Sequence, residues 1–126
     1  MKFHHIGVAT HNIEKSISDC LLLGYEQHST KIIFDPLQNV NLAFLSKSLE
    51  PTIELVAPVD RKSPVSGILK KSGTTPYHFC YEVLDIQLST TYLRSKNFVI
   101  VTPPTEAIAF ENRRVSFLYS TNMGKL

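Results

Sequence analysis

The amino-acid sequence predicts an α+β fold built from two βαβββ modules. The first observation behind this prediction is an internal repeat, because residues 4–26 resemble residues 77–99 and His78 lies 73 positions after His5. Further pairs that match at this offset are Asn12 with Asp85, Ile13 with Ile86, Ser16 with Ser89, Phe44 with Phe117 and Leu45 with Leu118. Similarity of type and order over half a chain indicates two copies of one structural unit. The second observation is that each copy has one helical stripe of apolar residues among short β-rich runs. One unit of ~55 residues would bury too little apolar surface alone, so the two are expected to pack side by side.

The first module is expected to span residues 1–58. Residues 3–9 form an apolar run typical of a strand, and Asn12 is a good residue to cap the helix that follows. The helical stripe consists of Ile13, Ile17, Cys20 and Leu21. Gly24 is suited to end this helix in the left-handed conformation. Three β-rich runs follow, near residues 26–34, 40–46 and 52–56.

The second module is expected to span residues 76–126. A strand at residues 77–83 leads to Asp85 as the helix cap and to Asn97 as the helix end. The helical stripe here is Ile86, Thr90 and Leu93, and the later β-rich runs lie near residues 99–102, 114–119 and 125–126. Between the modules, residues 59–75 form a connector in which Ser63, Pro64 and Gly73 bracket a short helix. The whole chain is interpreted as one domain, 1–126.

Composition narrows the classes of function. Thirteen basic and eleven acidic residues leave a net charge of +2, which is too small for a nucleic-acid-binding footprint. Long apolar runs and the apolar core of a signal peptide are both missing, so we expect a cytoplasmic protein without membrane contact. The two cysteines, Cys20 and Cys80, are interpreted as small buried side chains.

Strand alternation indicates which side chains face the inside of the sheet. Because Ile6 and Val8 should pack on the first helix, His4 is expected on their face and His5 on the opposite, inner face. The same alternation puts His78, Cys80 and Glu82 inside in the second module. Taken singly, a strand histidine is more often a hydrogen-bonded core residue than a metal ligand.

A carboxylate strengthens the interpretation of a metal site. Glu54 lies inside an otherwise apolar strand, where a lone buried charge is costly unless a positive group is beside it. Glu54 could instead be exposed on an edge strand, which is the commoner fate of glutamate. The repeat favours the metal, because it places His5 and His78 at equivalent positions facing each other. We therefore predict a divalent-metal site formed by His5, Glu54 and His78.

Other polar residues have weaker support. Phe44, Phe117 and Arg113 are candidate substrate-binding residues, although Arg113 could equally form a surface salt bridge. His11 and His28 are expected on the surface. No catalytic residue is assigned.

Four segments, HHIGVAT, IELVAP, PYHFCYEV and RRVSFLYS, resemble the strand signatures of the vicinal oxygen chelate superfamily. This group contains glyoxalase I, methylmalonyl-CoA epimerase, extradiol dioxygenases and the bleomycin- and fosfomycin-resistance proteins. The resemblance implies a cleft around a divalent ion (Zn, Ni, Co, Fe or Mn) held by His5, Glu54 and His78. It also implies a homodimer and a small-molecule substrate.

Two positions depart from the family pattern. The family's further glutamate ligand on the last strand would fall one position after Leu126, so the last strand is expected to be truncated and turnover is in doubt. The glutamate that epimerases place before the third strand is matched by Leu37, with Asp35 and Gln38 nearby.

The function that these patterns favour is that of a lyase or isomerase of the glyoxalase or epimerase type. Such a protein would act on a small carbonyl or thioester substrate through a metal-stabilised enediolate. The alternative is a resistance-type protein that binds a small molecule without turnover. A structural module that pairs with another chain is a third possibility.

Overall fold

One nine-stranded sheet carries both halves of the chain in the computed structural model, which describes residues 1–29 and 31–126. Its strands are β1 (Lys2–Ala9), β2 (Glu26–Gln27), β3 (Ile33–Asp35), β4 (Val40–Ser46), β5 (Thr52–Pro58), β6 (Thr75–Glu82), β7 (Val99–Glu106), β8 (Arg114–Ser120) and β9 (Gly124–Lys125). The helices are α1 (Ile13–Leu22), α2 (Pro64–Ser72) and α3 (Ile86–Ser95). The strand order is β2-β4-β5-β1-β6-β9-β8-β7, with β3 also paired to β4. The α+β fold with two βαβββ modules is confirmed.

The sheet register reproduces the sequence repeat. In the first module β1 pairs with β5 in parallel and sets His5 opposite Thr52, and in the second β6 pairs with β9 in parallel and sets His78 opposite Lys125. Both members of the second pair lie 73 positions after those of the first. Leu45 pairs with Ile53 in the same way as Leu118 pairs with Leu126, the latter through two 2.9 Å backbone hydrogen bonds. The repeat therefore holds as far as the short strand β9.

The helices begin where the sequence predicts. The side chain of Asn12 accepts a hydrogen bond from the Lys15 amide, and that of Asp85 accepts one from the Leu88 amide, both at 2.9 Å. Each cap satisfies an amide at a helix start that has no partner within the helix. Ser63 caps α2 in the same manner. Among the described residues, the helices have ten residues at most and none is long and apolar enough to cross a bilayer.

Apolar side chains from β1, β4 and β5 form most of the core. One cluster packs against α2 and includes Ala9, Val40, Leu42, Val56, Val65 and Leu69. Another packs against α1 and includes Ile13, Cys20, Ala43, Leu45, Leu55 and Ala57. Cys20 is buried, as expected, whereas Cys80 is half-buried.

Two predicted runs differ from the observed strands. The run at residues 26–34 is two strands, β2 and β3, and its residue 30 lies outside the described residues. The Ser29 hydroxyl accepts a hydrogen bond from the Lys31 amide, and such a local bond competes with strand pairing. The run at 99–102 is longer than expected, because β7 continues to Glu106 and pairs there with Arg114.

Candidate metal centre

Three buried side chains meet at the centre of the sheet. His5 on β1, Glu54 on β5 and His78 on β6 come from three neighbouring strands. The His5 Nε2 atom lies 3.2 Å from Glu54 Oε2 and 3.2 Å from His78 Nε2, and the latter atom is 3.2 Å from Glu54 Oε2. The three side chains predicted from the sequence are thus brought together.

The spacing of these atoms fits a metal ion. An equilateral triangle with edges of 3.2 Å has its centre about 1.85 Å from each corner, slightly less than the roughly 2.0–2.1 Å of a zinc–nitrogen bond. His5, Glu54 and His78 would hold a divalent ion in this space, and three protein ligands would leave a coordination position free for water or substrate. In the absence of a metal ion, Glu54 Oε2 can accept a hydrogen bond from each of the two imidazoles.

Strand pairing explains why His78 fits between its neighbours. Gly7 lies directly opposite His78 across the β1–β6 pair. A Cβ atom at position 7 would overlap the Cε1, Nδ1 and Nε2 atoms of the His78 ring. Position 7 therefore requires glycine, because only a residue without a side chain lets the His78 ring pack against the β1 backbone. From the sequence, strand alternation predicts only that Gly7 lies on the same face as His5.

The electrostatics of the metal-free site favour an ion pair. Burial by itself lowers the pKa of His5, but the contacts with Cys80 and Glu54 outweigh it and raise the pKa to about 9. Burial raises the pKa of Glu54, but its contacts with His5 and His78 lower it to about 2. Glu54 is thus ionised and His5 carries a proton at neutral pH, so a metal ion that binds here must displace a proton.

The expected orientation of His4 is wrong. Phe3 pairs with Tyr81 and His5 with Cys80, so His4 is an extra residue in a β-bulge. A bulge re-aims a side chain, and here it brings His4 Nδ1 to 2.8 Å from His5 Nδ1 rather than leaving it with Ile6 and Val8. Burial, followed by the charge on His5, lowers the pKa of His4.

Three phenylalanines surround the histidines. The Phe44 ring centre lies 5.7 Å from that of His5, and the Phe117 ring centre lies 6.2 Å from that of His78. Phe110 stacks on His5 at 6.0 Å with an interplanar angle of 10°. Sequence reasoning missed Phe110, because it belongs to a short 3-10 turn, Ile108–Phe110, that no periodic pattern indicates.

Arg113 lies away from the triangle. Its guanidinium group bonds the exposed Glu82 carboxylate at 3.1 Å, and both side chains are largely exposed. The two residues line a cavity of about 510 Å³ that also reaches His4, Phe110 and Leu126. Arg113 therefore forms the surface salt bridge that the sequence allowed, beside a cavity large enough for a ligand.

The remaining candidate residues have structural roles or are exposed. Leu37 is 74% exposed. The Asp35 carboxylate is buried and accepts hydrogen bonds from the Leu37 amide at 2.9 Å, the Gln38 amide at 3.1 Å and the Gln38 side chain at 3.0 Å. Asp35 therefore holds a turn. His11 and His28 are exposed, as expected.

Among the described residues, no fourth imidazole, thiol or carboxylate joins the His5–Glu54–His78 triangle within 4.8 Å. His4, His5 and Cys80 form a second group by the same measure. The two groups share His5, so they meet at one side chain.

A sheet of paired βαβββ modules, with one histidine from each module beside one buried carboxylate, places the chain in the class of proteins built from two such modules. The chain belongs to the Glyoxalase/Bleomycin resistance protein/Dioxygenase superfamily, whose family model matches residues 4–117. The family expected from the four strand segments is therefore confirmed.

Several proteins to which the chain is similar are methylmalonyl-CoA epimerases. The chain is 30% identical over 126 residues to the mitochondrial methylmalonyl-CoA epimerase of Dictyostelium discoideum, covering 97% of this chain and 72% of that protein. Its fold is similar to the crystal structure of methylmalonyl-CoA epimerase from Mycobacterium tuberculosis, with a TM-score of 0.80, 24% identity and coverage of 93% and 77%. It is also similar to a variant Streptomyces coelicolor methylmalonyl-CoA epimerase in complex with 2-nitronate-propionyl-CoA, with a TM-score of 0.77, 22% identity and coverage of 94% and 84%.

Proposed function

We propose that this protein is a divalent-metal enzyme that removes a proton from the carbon next to a carbonyl or thioester group. The observation that carries the proposal is the 3.2 Å triangle of His5 Nε2, Glu54 Oε2 and His78 Nε2. These three side chains would hold Zn, Ni, Co, Fe or Mn, with positions left open for substrate. When bound, the ion supplies Lewis-acid chemistry, stabilising the negative charge on the substrate oxygen in the enediolate route expected from the sequence.

The residues around the triangle support this chemistry. Phe44 and Phe117 flank the two histidines and would exclude water from the reacting carbon. Arg113, once released from Glu82, would offer a guanidinium group to an anionic part of the substrate at the mouth of the cavity. The named relatives direct the first substrate test to acyl-CoA thioesters with a proton next to the thioester carbonyl.

The experiment measures proton exchange rather than a complete turnover. Protein loaded with each of the five metals is incubated in D2O with methylmalonyl-CoA, or with the hemithioacetal of methylglyoxal and glutathione, and loss of the proton signal is followed by NMR. We expect metal-dependent exchange with one substrate class that chelation and His5→Ala abolish. His11→Ala is the matched control, because His11 is exposed and belongs to neither group of candidate metal ligands. Exchange that persists in His5→Ala would contradict the proposal.

A second candidate is a binding protein without turnover. It is favoured by the observation that, in the part of the chain that the structure describes, no carboxylate besides Glu54 joins the triangle as a base. Tight binding of either substrate by the metal-loaded protein, with no proton exchange, would select this function.

The proposal also covers the oligomeric state of the protein and its cellular compartment. We propose a homodimer in the cytoplasm, as expected from the sequence. Large apolar side chains that are exposed in the monomer, such as Leu22, Leu88 and Tyr92, supply apolar surface that a partner could bury. Light scattering during size-exclusion chromatography checks the mass, and a monomer at micromolar concentration would contradict the dimer.

A further inference from the structure

The β-bulge in β1 brings His4 to the Nδ1 atom of His5, which is the ring nitrogen outside the triangle. Position 4 has no partner across the β1–β6 pair, because Phe3 pairs with Tyr81 and His5 with Cys80. The bulge brings the two Nδ1 atoms of His4 and His5 to 2.8 Å, within the normal range for a hydrogen bond. Phe110 packs against both imidazole rings, with its ring centre 5.8 Å from that of His4 and 6.0 Å from that of His5. This packing limits the rotation of the two imidazoles.

The contact has a chemical consequence for His5. Its Nε2 atom is the corner of the triangle, so that atom must be free of a proton when it binds a metal ion. The proton of the neutral ring must then lie on Nδ1, where it needs an acceptor. Among the described residues, the imidazole nitrogen within hydrogen-bond distance of His5 Nδ1 is His4 Nδ1, which accepts when the His4 proton lies on Nε2. The Cys80 thiol also lies near the His5 ring, but no hydrogen bond joins the two side chains in the described geometry.

We propose that His4 is a positioning residue that holds His5 in the tautomer and orientation needed to bind the metal. The inference rests on the proposed metal site but goes beyond it, because it concerns a residue that does not touch the ion. Ligand histidines are commonly held in this way through their second nitrogen, and loss of the partner typically lowers metal affinity about 10–100-fold.

The second module shows that the contact is not a general feature of the repeat. Gly7 pairs with His78 and Val8 with Pro76, so Tyr77 is an extra residue in β6. Tyr77 lies 73 positions after His4, and its ring packs edge-on against His78 at 4.5 Å. The buried Nδ1 atom of His78 has no hydrogen-bond partner among the described residues. Polar support for a ligand histidine therefore comes from His4, whereas His78 is held by packing.

The test compares two substitutions of His4. His4→Gln keeps an acceptor oxygen near His5, and His4→Leu removes the acceptor while keeping an apolar side chain of similar size. Zn²⁺ affinity is measured by competition with a chromophoric chelator, and the His5 tautomer is read from long-range ¹H–¹⁵N NMR spectra of metal-free and Zn²⁺-loaded protein. His11→Leu is the matched control, and denaturation of each metal-free variant confirms that it folds.

We expect the Zn²⁺-loaded wild type to show the His5 proton on Nδ1. His4→Leu should weaken Zn²⁺ binding about 10–100-fold and give a mixture of His5 tautomers without metal, whereas His4→Gln should stay within about threefold of wild type. Wild-type affinity in His4→Leu would overturn the inference and leave the metal site intact. An equal loss in both variants would also overturn it, since only packing would then matter, as would binding of a second Zn²⁺ ion by His4, His5 and Cys80. A wild type that binds no metal would overturn the proposed function itself.

Discussion

Gly7→Ala should strongly weaken metal binding, because it displaces the proposed ligand His78 without altering that residue. A methyl carbon at position 7 would overlap three atoms of the His78 ring, and Gly7 is not among the glycines with positive φ, so alanine strains no backbone. Normal carbon contacts are roughly 3.5–4.0 Å, so the ring must move by more than about 1 Å. Metal–ligand distances tolerate only about 0.2 Å.

The expected loss of Zn²⁺ affinity can be judged from the loss of one of three proposed ligands. Disturbing a partner of a ligand costs about 10–100-fold in affinity, so displacing the ligand itself should cost at least about 100-fold, or about 2.8 kcal/mol. Overpacking should also lower the free energy of unfolding of the metal-free protein by about 1–3 kcal/mol. Zn²⁺ affinity is measured by chelator competition, and stability by chemical denaturation.

Two controls separate this effect from general damage. Gly67→Ala places a methyl group on α2, where no atom lies within 4 Å, and should leave Zn²⁺ affinity unchanged. In a His78→Ala background, Gly7→Ala should cause little further loss, because the ring with which it collides is gone. Wild-type Zn²⁺ affinity in the single Gly7→Ala variant would show that His78 is not a ligand.

Three further predictions concern charge, strand register and the turn. In the metal-free protein, the lowered pKa of Glu54 stabilises the fold at pH values above the ordinary glutamate pKa of 4.5, and this stability is lost as the pH falls toward about 2. The raised pKa of His5 stabilises the fold at pH values below the ordinary histidine pKa of 6.5, and this stability is lost as the pH rises through about 9. Denaturation midpoints measured in the presence of a chelator should therefore be highest between pH 4.5 and pH 6.5. If Glu54→Gln lost stability at low and at high pH in the same way as the wild type, the Glu54–His5 ion pair would not be the cause. A version extended after Leu126 by a few residues that continue β9, the first of them glutamate, should bind Zn²⁺ at least about 10-fold more tightly than the same extension with glutamine first. Equal affinities in calorimetry would show that the 73-residue repeat does not extend to the position after Leu126. Asp35→Ala should lower the free energy of unfolding by about 2–3 kcal/mol, because the amides of the turn lose their acceptor, and a change below about 0.5 kcal/mol would show that solvent replaces it.

Much of the fold follows from local patterns that are visible in the sequence. The 73-residue repeat predicted two equal modules, and the helix caps Asn12 and Asp85 are those the structure uses. Strand alternation placed His5 and His78 on one face, and the repeat placed them opposite each other. These patterns succeed because caps and alternation depend on neighbouring residues along a single chain segment.

The tertiary structure alone decided the details that make the site specific. The turn of His4 toward His5 depends on how residues 3–5 pair with residues 80–81, and alternation counted along β1 cannot register an extra residue that has no partner on β6. The fit of His78 over Gly7 and the stacking of Phe110 on His5 are likewise contacts between segments far apart in sequence. The sequence by itself thus determined which side chains face the centre of the sheet, whereas pairing between distant strands decided how close they come, because distances across a sheet depend on register and bulges that no single strand encodes.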